Sequence, residues 1–200
     1  MEALFPATAA YIARLPKGLE SHPECLVKAS LYRSTLEMRP IPRTAAETLP
    51  PQLKRMVLQP DPVSAWVPEA HSLALLTAHF DVCFGSHEEF ERSCYLRQRR
   101  LFDSPLYRAV VKLASPNLLL RTAALRWGAL HRGTTLEVSE NRPGSAELSM
   151  EHPPNLWGEP TRIALTAGFR ALLDLCGARN ATVEVADASA THMRLSGRWS

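Results

Sequence analysis

His22 and Cys25 stand three residues apart in the stretch SHPECL, where a thiol and a neighbouring base could act as a nucleophilic pair. Such a pair needs a lowered thiol pKa and a third group that orients the base. No third group is visible, and Pro23 bends the chain between them. A loop histidine beside a packed cysteine is therefore preferred, with an enzyme of unrecognised type using His22 and Cys25 or a Trp-lined pocket kept as the alternative. His71, His79 and His87 recur at intervals of eight. A helix holds a metal ion with an i, i+4 pair, whose side chains share a face. Eight residues are about 12 Å of rise, too far for one ion. These histidines are expected on helix surfaces or at caps, and no metal site is predicted. His131 is expected at a helix C-terminus, where the dipole favours it. Arg92, Arg97, Arg99 and Arg100 could bind an anion, and nucleic acid is a second alternative. Glu88, Glu89 and Glu91 lie just upstream and the net charge is only +3, so a solvated helix face is expected.

The aromatic residues point to binding rather than to reaction. Trp66 lies between Pro62 and Pro68 in PDPVSAWVPEAH, a segment expected to be irregular. A tryptophan on a proline-framed loop either closes a pocket, anchors a partner or lids the core. Trp157, in HPPNLWGEP, has the same choices. If both loops fold toward the gap between helices and sheet, Trp66, Trp127 and Trp157 line one apolar pocket.

Those residues depend on elements that the pattern makes legible. Leu4, Ala7, Tyr11, Ile12 and Leu15 recur at helical spacing behind Pro6. Leu26 to Met38 fits either one helix or a short strand turning into one. Residues 40–62 hold six of the sixteen prolines and read as a connector or a pair of one-turn helices. From Pro68 the chain is helical, with Leu73, Leu76 and Phe80 on one side and Gly85 as a stop. Ser86 to Glu89 is a capping box. Ser104-Pro105 and Ser115-Pro116 each read as a serine cap followed by proline at the first helical position. The second of these opens a helix with Leu120, Ala123, Ala124 and Trp127 as its stripe. Thr134 to Ser139 and Ser145 to Glu151 alternate as strands about an Asn141 to Gly144 turn. A helix over Thr161 to Cys176, capped by Gly177, separates this hairpin from a second one, with Val183 and Val185 followed by Met193, Leu195 and Trp199. The expected architecture is α+β: a helical layer, then a four-stranded antiparallel sheet built as hairpin–helix–hairpin. Residues 1–25 are read as an N-terminal helix or arm and 26–200 as a single domain.

Composition excludes several classes. The 200 residues are 46% hydrophobic and 22% charged, ordinary for a globular chain. No run of about 18 apolar residues is present, so no membrane partner is expected. Cys25, Cys83, Cys94 and Cys176 form no CxxC pair and are expected as reduced thiols in a cytoplasmic protein. GxGxxG, P-loop, GxSxG and HExxH motifs are absent.

The run from Leu26 to Trp199 resembles a paralogous bacterial family abundant in myxobacteria, through VKASLYRSTLE, SPLYRAVVKLASPNLLLRTAALRWGALHRGTTLEV and GFRALLDLCGARNATVEV. More distantly, the order of elements is similar to haem–nitric-oxide-binding domains and to the 4-vinyl-reductase and TRAPP-like group. That resemblance implies a first strand feeding helices, a closing hairpin–helix–hairpin unit, and sensing or docking as the function. In haem–nitric-oxide-binding domains a histidine on the helix before the sheet takes the iron, and a Tyr-x-Ser-x-Arg motif holds the propionates. Here the comparable helix reads SPLYRAVVKLAS, with Tyr107 as the sole candidate ligand, and the comparable strand reads AELSMEHPPNLW. Both departures predict no haem and no other cofactor. The expected function is a non-enzymatic module that docks a protein partner or binds a small apolar ligand through Trp66, Trp127, Trp157 and Tyr107, with a homodimer through the helical layer.

Overall fold

Asp81, late in the helix α5 (Glu69–Cys83), caps a different helix. Its carboxylate accepts from the backbone amides of Ala7 at 3.1 Å and Thr8 at 2.9 Å, and from the Thr8 hydroxyl at 2.7 Å. That helix, α1 (Pro6–Arg14), has no side-chain cap of its own, so its free N-terminal amides are satisfied from α5. Phe5, Tyr11 and Leu15 join the same buried cluster as the rest of the core. The computed structural model describes residues 3–102 and 114–200; Ser104, Pro105 and Tyr107 lie outside them.

After an extended segment, β1 (Pro16–Leu19), the ambiguous stretch divides into β2 (Leu26–Lys28) and α2 (Ala29–Met38). The proline-rich region forms α3 (Arg43–Ala46) and α4 (Pro51–Leu58), the latter burying Leu53 and Met56. Trp66 does not sit in an irregular loop: β3 (Trp66–Pro68) pairs antiparallel with β2. The chain then enters α5 (Glu69–Cys83), which packs against α1, α2 and α4. Surrounded in this way, α5 buries Ala70, Ala74, Leu75, Thr77, Ala78 and His79, while the expected stripe of Leu73, Leu76 and Phe80 is only half-buried.

The capping box at Ser86 opens α6 (His87–Phe102): Glu89 N–H donates to Ser86 Oγ at 3.1 Å, and Glu89 Oε2 accepts from Gly85 N–H at 3.0 Å. The second serine–proline start also holds, with Leu118 N–H donating to Ser115 Oγ at 3.3 Å at the head of α7 (Pro116–Arg126). A short 3-10 turn leads into β4 (His131–Arg132), which pairs with the other side of β2. Together these strands form a three-stranded sheet of order β3-β2-β4.

The closing unit follows the expected hairpin–helix–hairpin plan. β5 (Thr135–Arg142) and β6 (Ser145–Glu151) form the first hairpin, with Gly144 at φ +80° in its turn. Helix α8 (Glu159–Leu175) lies along α6, and Gly177 at φ +88° ends it. β7 (Thr182–Ala188) and β8 (His192–Arg198) complete a sheet of order β5-β6-β8-β7, antiparallel throughout. Its inner face carries Leu136, Leu148, Met150, Met193 and Leu195, all buried. Among the described residues the architecture is α+β with two antiparallel sheets, and no helix is long and apolar enough to cross a membrane.

Candidate functional site

The register of the three-stranded sheet decides which side chains meet. Val27 is opposite Val67 on one side and His131 on the other, while Lys28 is opposite Trp66 and Leu26 is opposite Arg132. Alternation puts Val27, Val67 and His131 on one face and Lys28, Trp66 and Arg132 on the other. The first face is internal, since Val27 and Val67 are buried. On the outer face the Trp66 ring meets two cations, Lys28 Nζ at 4.1 Å and the Arg132 guanidinium at 4.0 Å.

Directly after β3 comes Glu69, the first residue of α5. Its amide donates to the Cys25 carbonyl at 2.9 Å, and only 2% of the residue is exposed. The carboxylate sits at a helix N-terminus, where the dipole favours negative charge. Trp157 Nε1–H donates to Oε1 at 3.3 Å. His131 Nδ1 lies 3.4 Å from the same oxygen but is not aligned to donate to it, and Oε2 has no protein hydrogen bond. The His131 ring stacks flat on Trp127, with centroids 3.8 Å apart. Trp127 meets Trp157 edge-on at 6.4 Å and donates to Thr134 Oγ1 at 3.1 Å. His152 packs on Trp157 at 4.5 Å, and burial pushes its imidazole below the ordinary histidine range. Glu69, His131, Trp127 and Trp157 thus gather a buried acid, an imidazole and two indoles where the helical layer meets the closing unit.

The residues singled out from the sequence fall in different places. Trp127 and Trp157 come together at this joint, whereas Trp66 is on the opposite face of the three-stranded sheet. Tyr107 lies outside the described residues. The His22 ring reaches the Pro154 carbonyl at 3.0 Å, and the Cys25 thiol donates to the Gly133 carbonyl at 3.4 Å, so the two side chains bond elsewhere. Burial, helped by Glu24 and Glu69, pushes the Cys25 thiol up to about 12, the reverse of an activated nucleophile. Arg97 bonds the Thr35 hydroxyl rather than joining an open arginine patch. His79, expected on a helix surface, is 2% exposed, and burial pushes it down to about 4. Glu69 was missed because nothing local marks it: an acid in the first turn of a helix reads as ordinary dipole compensation.

No protein-family model and no curated protein matches this sequence. Solved structures do. An unliganded Fe(II) H-NOX protein from K. algicida matches at 11% identity and TM-score 0.55, over 86% of this chain and 96% of that one. An oxygen-binding H-NOX domain related to soluble guanylate cyclases, in its oxygen complex, matches at 8% identity and TM-score 0.55, over 85% and 91%. The I5F mutant of T. tengcongensis H-NOX matches at 7% identity and TM-score 0.52, over 86% and 94%. The fold is therefore similar to that of H-NOX domains across most of both chains, a distant likeness consistent with the resemblance in element order.

This likeness corrects the expectation of no cofactor. The similar structures are described by their Fe(II) state, their oxygen complex and the distortion of their heme, so the fold is one that carries haem in those proteins. A fold persists at identities of 7–11%, where short motifs are a poor guide to what it holds. The described residues test the fit in part. His131 qualifies as a donor, since a carboxylate beside one ring nitrogen is the usual second partner of a metal-bound imidazole. Against this, Leu136, Leu148, Met150, Leu156 and Leu195 pack the interior, whereas a haem needs several hundred Å³, roughly the size of other cofactor sites.

Proposed function

We propose that this chain is a non-enzymatic sensory module, working in the cytoplasm, that binds a small molecule where its helical layer meets its closing sheet unit. The observation that carries this reading is the convergence on one carboxylate of Glu69 from α5, His131 from β4 and Trp157 from the loop before α8. A buried carboxylate oxygen without a donor is costly, so Oε2 is an acceptor suited to a ligand N–H or O–H. Trp127, half-buried at the edge of the site, offers the apolar surface for the rest of the ligand. The class expected is a small, largely apolar molecule with one hydrogen-bond donor. Its arrival shifts the contacts between layers, and a partner protein reads the result. The distant likeness to oxygen-binding H-NOX domains supports a sensing role by analogy of fold.

Native mass spectrometry of protein purified from its own host, with an absorption scan, tests the reading. The expected result is a stoichiometric added mass that is lost in Glu69→Gln and Trp127→Ala. A haem band would make that added mass the cofactor of the similar structures. An apo mass from the host, or an added mass untouched by both substitutions, overturns the site.

A further inference from the structure

Helices α2, α5 and α6 border a small cavity of about 10 Å³, lined by Thr35, Met38, His79, Cys94 and Arg97 among others. That space suits one water-sized occupant, far too little for an organic ligand. His79 reaches the Arg39 carbonyl through Nε2 at 2.7 Å. A carbonyl only accepts, so Nε2 carries the ring proton and Nδ1 holds a free lone pair. Nδ1 is buried and has no hydrogen-bond partner, in a residue 2% exposed. Phe84 meets the ring edge-on at 5.1 Å. A ring fixed by one nitrogen on a backbone carbonyl, with the other nitrogen bare, is how ligating histidines are held.

Two further soft donors line the same cavity. Cys94, from α6, is a free thiol 4% exposed, and Met38, from α2, is a half-buried thioether. Imidazole, thiol and thioether together select soft metals over oxygen-seeking ones, and no carboxylate lines this space. Charge narrows the class further. The Arg97 guanidinium, bonded to the Thr35 hydroxyl, lines the cavity as well. A monovalent ion on a thiolate is neutral overall, whereas a divalent ion would leave a positive charge beside that guanidinium in a low-dielectric interior.

We propose that Met38, His79 and Cys94, one from each helix, form a binding site for cuprous copper. Binding breaks the Cys94 S–H bond, releases that proton to solvent and forms a copper–thiolate bond. The metal arrives and stays as Cu(I), so no electron is transferred. No sequence motif announces the site, because its ligands are 41 and 15 positions apart. Among the described residues no three His, Cys, Asp or Glu side chains make a metal cluster; the site emerges once methionine is counted.

The test is titration of the reduced full chain, without oxygen, into a Cu(I)–bicinchoninate solution. We expect one equivalent of copper withdrawn from the chelator, with an ultraviolet thiolate-to-copper absorption. Cys94→Ser should weaken binding about a hundredfold and the volume-conserving Met38→Leu about tenfold. Cys83→Ser should leave binding unchanged, since that thiol turns to the Pro40 carbonyl at 3.9 Å. Met38→Leu guards against misfolding, checked by an unchanged unfolding midpoint. Failure to withdraw copper, parental affinity in both Cys94→Ser and Met38→Leu, or preference for zinc each overturns the site.

Discussion

The Tyr11 hydroxyl donates to the main-chain carbonyl of Leu156 at 2.8 Å, joining the first helix to the loop that precedes α8. Both residues are buried, at 5% and 0% exposure, and burial raises the Tyr11 pKa far above its usual range. The phenol is therefore a permanent donor, and the contact sews the N-terminal helix to the closing unit. Replacing Tyr11 with Phe leaves the Leu156 carbonyl without this donor. The expected loss is about 1–3 kcal/mol of stability, read as a lower urea midpoint with an unchanged slope. An unaltered midpoint would mean that water substitutes for the phenol.

Glu69 has a sharper test. Glu69→Gln keeps an acceptor for Trp157 and gains an amide that can serve His131, so a change within about 1 kcal/mol is expected. Glu69→Ala strands the Trp157 N–H and opens a void, at a cost of about 3–5 kcal/mol. Equal effects from the two substitutions would show that the carboxylate is not the organising group.

Gly133 holds φ +79°, and an added Cβ there would lie 2.5 Å from Cys25 Sγ and 3.1 Å from its Cα. Strain and collision together should cost Gly133→Ala about 2–5 kcal/mol. Gly177, at φ +88° with nothing within 4 Å, isolates the backbone part. Gly177→Ala should lose about 1–2 kcal/mol. If Gly133→Ala is no worse than Gly177→Ala, the strand β2 region yields more readily than its packing implies.

Burial pushes His71 as well as His152 below the ordinary histidine range. Between the lowered value and the ordinary one, the unfolded chain binds protons that the folded chain refuses. Stability should therefore fall as pH drops from about 6.5 into the acid range. Urea unfolding across that window measures the slope, and His152→Asn should flatten it. A slope that stays the same in the variant would assign the effect to other groups.

Much of the fold was legible because its elements carry strong local periods. The β5–β6 hairpin shows alternation over long strands, and Ser86 to Glu89 and Ser115-Pro116 mark helix starts by capping chemistry that needs no tertiary context. The three-stranded sheet was hidden, since strands of two and three residues are too short for alternation to register. His79 misled because an amphipathic reading assumes one wet face, and α5 is packed on several sides. The joint at Glu69 depends on residues 62 and 88 positions away, His131 and Trp157, and no spacing rule reaches so far.

The stacking of His131 on Trp127 at 3.8 Å has an optical consequence. The emission of an indole in face contact with a neighbouring ring depends on that contact being kept. Trp66, in contact with Lys28 and Arg132 on the opposite face, is screened from changes there by the sheet itself. The chain thus carries indoles on both sides of one layer of backbone, Trp127 and Trp157 at the seam and Trp66 outside it, so a change at the seam should alter one part of its emission and leave another as it was.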